Sequence, residues 1–77
     1  MTVVWKEVLS SNVARIAYQD DPPAMLVEFL PKGSHPATTY EYSGVDDKLF
    51  NEILKSPSVT TALNMQIKGK YSYRKIG

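Results

Sequence analysis

The sequence predicts an α+β fold: a three- or four-stranded antiparallel meander packed on two C-terminal helices. Three observations carry this expectation. Apolar and polar residues alternate with period two in three bursts between residues 13 and 43, each bounded by turn formers. Beyond Gly44 the apolar spacing lengthens to about 3.6 residues. The chain has only 77 residues, enough for one domain that buries about 60% of its unfolded surface, so residues 1–77 are read as a single unit.

Residues 2–9, TVVWKEVL, are a short apolar and β-branched burst followed by Ser10-Ser11-Asn12, which predicts a first strand or extended arm ending in a turn. From Val13 to Tyr18, Ala14, Ile16 and Tyr18 fall on one side and Val13, Arg15 and Ala17 on the other, as in a half-buried strand. QDDPPA at Gln19–Ala24 breaks it, because paired prolines cannot donate ladder hydrogen bonds. Met25–Leu30 resumes as a strand with Met25, Val27 and Phe29 inward and Glu28 outward. After the loop PKGSHPA, Thr38–Ser43 forms the next strand, with Tyr40 and Tyr42 on one face and Glu41 on the other. In a meander Arg15, Glu28 and Glu41 would line one solvent face.

Leu49, Phe50, Ile53 and Leu54 make a helical stripe, and Asp46-Asp47 stand where the macrodipole favours acids. Ser56 is expected to cap a second helix with Pro57 at its first position, carrying Val59, Ala62, Leu63 and Ile67 inward. Gly69 stops it, and Lys70–Ile76 alternates as a short extended tail. On such a tail Tyr71 and Tyr73 would share one side and one degree of burial.

Charge is distributed unevenly. Residues 1–52 hold four Lys/Arg against eight Asp/Glu, whereas residues 53–77 hold five Lys/Arg and no acid. The last ten residues, KGKYSYRKIG, interleave Lys68, Lys70, Arg74 and Lys75 with Tyr71 and Tyr73. Cations among flat rings match what a nucleic-acid strand offers, phosphates for charge and bases for stacking. The bland alternative is a soluble tail with one tyrosine packed back on the core.

Other chemistry finds little support. There is no cysteine, which excludes a disulfide framework and a thiol nucleophile. His35 is the only histidine, so neither a metal site nor a catalytic triad can be assembled around it. Asp20-Asp21 and Asp46-Asp47 sit where turns and helix starts favour acids, and no Gly-rich phosphate loop occurs. The expectation is a protein that is not an enzyme, with no cofactor and no metal. The start MTVVWKEV lacks a signal pattern and no apolar run approaches the roughly 18 residues of a span, which places the protein in the cytoplasm with no membrane partner.

Several segments in order carry a family resemblance: LSSNVARIAY at Leu9–Tyr18, LVEF at Leu26–Phe29, YEYSGV at Tyr40–Val45, LFNEILKSPS at Leu49–Ser58 and NMQIKGKYSYRKI at Asn64–Ile76. Together they resemble the KTSC domain, named for an appendage at the C-terminus of some lysyl-tRNA synthetases and also found as a small stand-alone bacterial or phage protein. The family pattern maps onto Ser11, Asn12, Tyr40, Tyr42, Ser43, Gly44, Pro57, Asn64, Ile67, Tyr71, Tyr73 and Arg74. Departures are Asp46-Asp47 at the first helix start, Leu63 in place of an aromatic, Ser72 in place of a proline, and a longer Pro31–Thr38 loop. The synthetase association implies RNA, such as tRNA, as a partner.

The resulting expectation is non-catalytic binding of RNA or another polyanion, with Lys68, Lys70, Arg74 and Lys75 on phosphates and Tyr71 or Tyr73 stacking on a base. The alternative is a protein-interaction module that engages a partner or a second copy through Trp5 and the edge strand. Tyr40 and Tyr42 are expected under the helices, as core or half-buried residues, which makes a stacking sheet the weaker form of the RNA model. Ser11 and Asn12 read most simply as turn chemistry. Asn64 reads as a buried amide bonded to the Ser10–Asn12 turn or the Tyr71 segment.

Overall fold

The computed structural model describes residues 3–8, 10, 12–31 and 33–77. Met1, Thr2, Leu9, Ser11 and Lys32 lie outside the described residues, and with them the expected turn role of Ser11. Five strands precede and follow two helices: β1 (Val4–Glu7), β2 (Val13–Asp20), β3 (Pro23–Phe29), β4 (Thr38–Ser43), α1 (Asp47–Leu54), α2 (Val59–Gln66) and β5 (Tyr73–Lys75). The strands form one antiparallel sheet in the order β1-β2-β3-β4-β5. The α+β class holds, while the sheet has five strands rather than three or four. The extra strand is the tail, which leaves α2 and pairs along β4, with Tyr42 opposite Tyr73 and Tyr40 opposite Lys75.

Register explains the core. Ile16 lies opposite Val27 and Tyr18 opposite Met25, and Met25 in turn faces Tyr42. These side chains share the inner face, toward the helices. A bulge between Val13 and Arg15 shifts the parity, so Val13 pairs with Phe29 and joins the inner face instead of the outer one. Strict alternation misplaces Val13 for that reason. The connection between β2 and β3 is tighter than expected, because both strands run on until Asp20 pairs with Pro23. Pro23 is tolerated as the first residue of its strand.

Helix α1 begins at Asp46, whose side chain accepts from the Leu49 backbone N–H at 2.9 Å. It buries Phe50 and Ile53 and packs against β2, with the Phe50 ring 5.6 Å from that of Tyr18. Helix α2 starts two residues later than expected. Its cap is Ser58, which accepts from the Thr61 N–H at 3.3 Å, whereas the Ser56 hydroxyl donates to the Ser58 carbonyl and shapes the Ser56–Ser58 turn. Each helix has eight residues, too short to persist alone. Burial of Ile53 and Leu63, at about 1.5–3 kcal/mol each, ties them to the sheet. Between sheet and helix, Gly44 takes φ +87 and its N–H donates to the Pro23 carbonyl at 2.8 Å, a conformation that side chains disfavour.

The outer face has a floor of its own. Across the sheet, Trp5, Ala17, Leu26, Glu41 and Arg74 lie in one row, and Ala17 and Leu26 are buried. Their neighbours are long side chains that cover small ones. Arg15 lies 4.4 Å from the Trp5 ring centre and its Nε donates to Glu28 at 2.6 Å.

Candidate nucleic-acid interface

The tail leaves α2 through a glycine stop. Gly69 takes φ +81, and the Lys70 and Tyr71 N–H groups both donate to the Ile67 carbonyl. The chain then bends at Tyr71 and enters β5 only at Tyr73. The two tail tyrosines therefore part company. Tyr71 is half-buried and packs against the core, its ring near Gly44, whereas Tyr73 is 64% exposed. The expectation of equal burial fails because the bend puts Tyr71 outside the strand.

Strand parity also separates the cations. Arg74 pairs with Glu41, on the outer face, and its Nε donates to the Glu41 carboxylate at 2.8 Å. One of the four tail cations is thus already engaged by an acid of the same chain. Lys75 pairs with Tyr40, on the inner face, and Lys68 sits with its Nζ 5.5 Å from the Phe29 ring centre. Lys70 is exposed in the turn after α2. No ion pair involves Lys68, Lys70 or Lys75 among the described residues.

The inner face is not wholly covered. Helix α1 lies toward β2, and between β4, β5 and the end of α2 runs an open groove of about 550 Å³. Phe29, Tyr40, Tyr42, Tyr73, Thr38 and Lys68 line it. Tyr40 sits edge-on to both Phe29 and Tyr73, at 5.7 and 5.8 Å between ring centres, and Tyr42 lies 5.8 Å from Tyr73, separations at which aromatic rings attract. Tyr42 forms the buried end of this set. Burial, then the neighbouring Tyr40 and Tyr73, raises its phenol above the ordinary tyrosine value. Tyr40 is half-buried, and Tyr73 closes the outer wall. Among the described residues no carboxylate lines the groove.

The aromatic set was half visible in sequence. Phe29, Tyr40, Tyr42 and Tyr73 each sit at an inward parity, but the area that two short helices leave uncovered is set by their packing. Asn64 differs from its expected place: it is exposed and lines a smaller depression with Asn12. The Ser10 and Thr60 hydroxyls are hydrogen-bonded there instead. Trp5, the expected anchor for a protein, is half-buried beneath Arg15. No helix among the described residues is long and apolar enough to cross a membrane, and no group of three or more metal-ligating side chains is found among them.

The model of the KTSC domain matches residues 9–71. No curated protein matches the chain. The crystal structure of a KTSC domain protein from Yersinia pestis superimposes with a TM-score of 0.86 at 29% identity, covering 99% of this chain and 100% of that one. The family match stretches over most of the sequence and ends just before β5. The chain belongs to the KTSC domain family.

Proposed function

We propose that this protein binds single-stranded RNA, without catalysis, on the aromatic groove between β4–β5 and the end of α2. The observation that carries the reading is the exposed ring of Tyr73, standing beside Tyr40 and Tyr42 on the same face as Lys75 and close to Lys68. Aromatic rings on a sheet accept bases of any identity by stacking, and nearby lysines neutralise phosphates. The acids support the same choice of face. Glu28 and Glu41 lie on the outer side, each held by an arginine, where they do not repel a strand on the inner side.

The interface differs from a basic tail acting alone. Tyr73, Lys68, Lys75 and Lys70 remain in it, Phe29, Tyr40 and Tyr42 enter it, Tyr71 supports the turn, and Arg74 faces away. Recruitment of a protein partner through Trp5 has less support, because Arg15 already lies over that ring.

Titration of a labelled single-stranded RNA at two or more salt concentrations tests the proposal. With Lys68, Lys70 and Lys75 on three phosphates, log affinity should fall against log salt with a slope of about −2. The Lys68→Ala/Lys75→Ala variant should flatten that slope by about 1.4, and Arg74→Ala should leave it unchanged. A slope that responds to Arg74→Ala and ignores the lysine pair would remove the groove from consideration.

A further inference from the structure

We infer that the depression beside Asn12 and Asn64 is a base-reading subsite, next to the stacking groove, that selects adenine in the bound strand. The inference rests on the reading of the groove as a single-strand RNA site and adds sequence preference to it.

Two open spaces lie on the helix side of the sheet and share Phe29 and Lys68 in their linings. The smaller, about 180 Å³, is lined by Asn12, Val13, Leu30, Thr60, Asn64 and Lys68, with Phe29 forming the wall it shares with the aromatic groove. Lys68 also borders both spaces and lies over Phe29. A cation between two base-sized spaces stands where the phosphate joining two successive nucleotides would pass. The volume is below the roughly 300–1,000 Å³ of sites that enclose a drug-sized ligand, and suits one flat heterocycle.

The lining differs from that of the groove. Where the groove offers rings, this space offers two carboxamides beside a Thr60 hydroxyl already bonded to Ser10, and among the described residues no acid or further cation lines it. A carboxamide carries a donor and an acceptor side by side, the complement of the N6 amino group and N7 of adenine. An unstacked base in a single strand exposes that edge. The Leu30 N–H donates to the main-chain carbonyl of Asn12 at 2.8 Å, which anchors the backbone carrying one of the two amides where the start of β2 meets the end of β3. Asn64, exposed on α2, supplies the other from the opposite wall. Neither side chain belongs to the hydrophobic core.

Short labelled homopolymers of adenylate, uridylate, cytidylate and guanylate, titrated under one salt condition, test the subsite. The wild type should prefer oligoadenylate by about tenfold, within the discrimination of one good amide–base pair. Asn64→Ala should erase the preference while the salt slope stays that of the wild type, and Asn64→Asp, which keeps an acceptor but loses the donor, should also lose adenine. Tyr73→Ala should lower affinity for all four alike. Circular dichroism confirms that the exposed Asn64 variants remain folded. RNA binding with equal affinities in the wild type, a preference for another base, or a ranking unmoved by Asn64→Ala would overturn the subsite while leaving the groove in place. Absence of binding to every oligomer would remove groove and subsite together.

Discussion

On the outer face of the sheet Arg15 and Arg74 are each held by a glutamate on a neighbouring strand, whereas on the inner face Lys68 and Lys75 stand beside aromatic rings with no carboxylate partner among the described residues. The planar guanidinium suits a fixed pair with a carboxylate, and the flexible ammonium remains hydrated and available. Adjacent residues of one short strand, Arg74 and Lys75, thereby belong to different surfaces. A run of cations in sequence therefore does not define a binding surface. Parity along β5 turns Arg74 to a carboxylate on one face and Lys75 to the opposite face.

The inner face is itself divided, and the largest effects test that division. Ile53 lies fully inside the part covered by α1, and Ile53→Ala should destabilise the fold by about 2–5 kcal/mol. Tyr73, at the open end, should cost about 1 kcal/mol as Tyr73→Ala, the worth of its ring contacts, yet lower RNA affinity by about 1–3 kcal/mol. Urea midpoints and RNA titrations on the two variants separate stability from binding. Equal losses of stability would mean that the open end is core after all.

Much of the covered part was readable beforehand, and the open part was not. Alternation through Met25–Phe29 and Thr38–Ser43 placed the inward residues of β3 and β4, and the Leu49–Leu54 stripe placed α1, because burial on one face imposes its period directly on local sequence. Ser58 as the cap of α2 was obscured by Ser56-Pro57, which satisfies the same local pattern two residues earlier. Val13 was misplaced because a bulge costs one residue of parity and leaves no fixed signature. The pairing of Arg74 with Glu41 joins residues 33 apart, and depends on β5 docking against β4, which no local period encodes. The groove is further removed still, being the space that two eight-residue helices do not fill.

Alkaline pH probes the two parts of the inner face together. Burial, followed by the charges of Asp47, Asp46 and Asp20, raises the Tyr18 phenol, and burial, followed by Tyr40 and Tyr73, raises that of Tyr42. The unfolded chain releases these protons near pH 10, while the folded chain still holds them. Protons bound in the folded state then exceed those bound when unfolded, so stability is fully present below about pH 10 and declines as pH rises toward the raised values. Urea midpoints at about pH 8 and about pH 11 should fall for the wild type and fall less for Tyr18→Phe/Tyr42→Phe. The same decline in both proteins would place its origin elsewhere.

The smallest effect bears on the outer face. The Arg74 side chain is 73% exposed and that of Glu41 only 14%, so the pair lies against water on one side and over the sheet on the other. Exposed ion pairs contribute at most about 1 kcal/mol, because screening and side-chain entropy offset most of the attraction. A double-mutant cycle of Arg74→Ala and Glu41→Ala, read from urea midpoints, should return a coupling in that range, and it should shrink as salt is added. The single Glu41→Ala variant carries a second consequence: with its partner gone, Arg74 becomes a free cation on the outer face. If the division between faces holds, that new cation leaves the salt slope of RNA binding unchanged, since the strand follows the lysines and rings on the opposite side. A steeper slope in Glu41→Ala would show that bound RNA reaches around the β5 edge to both faces.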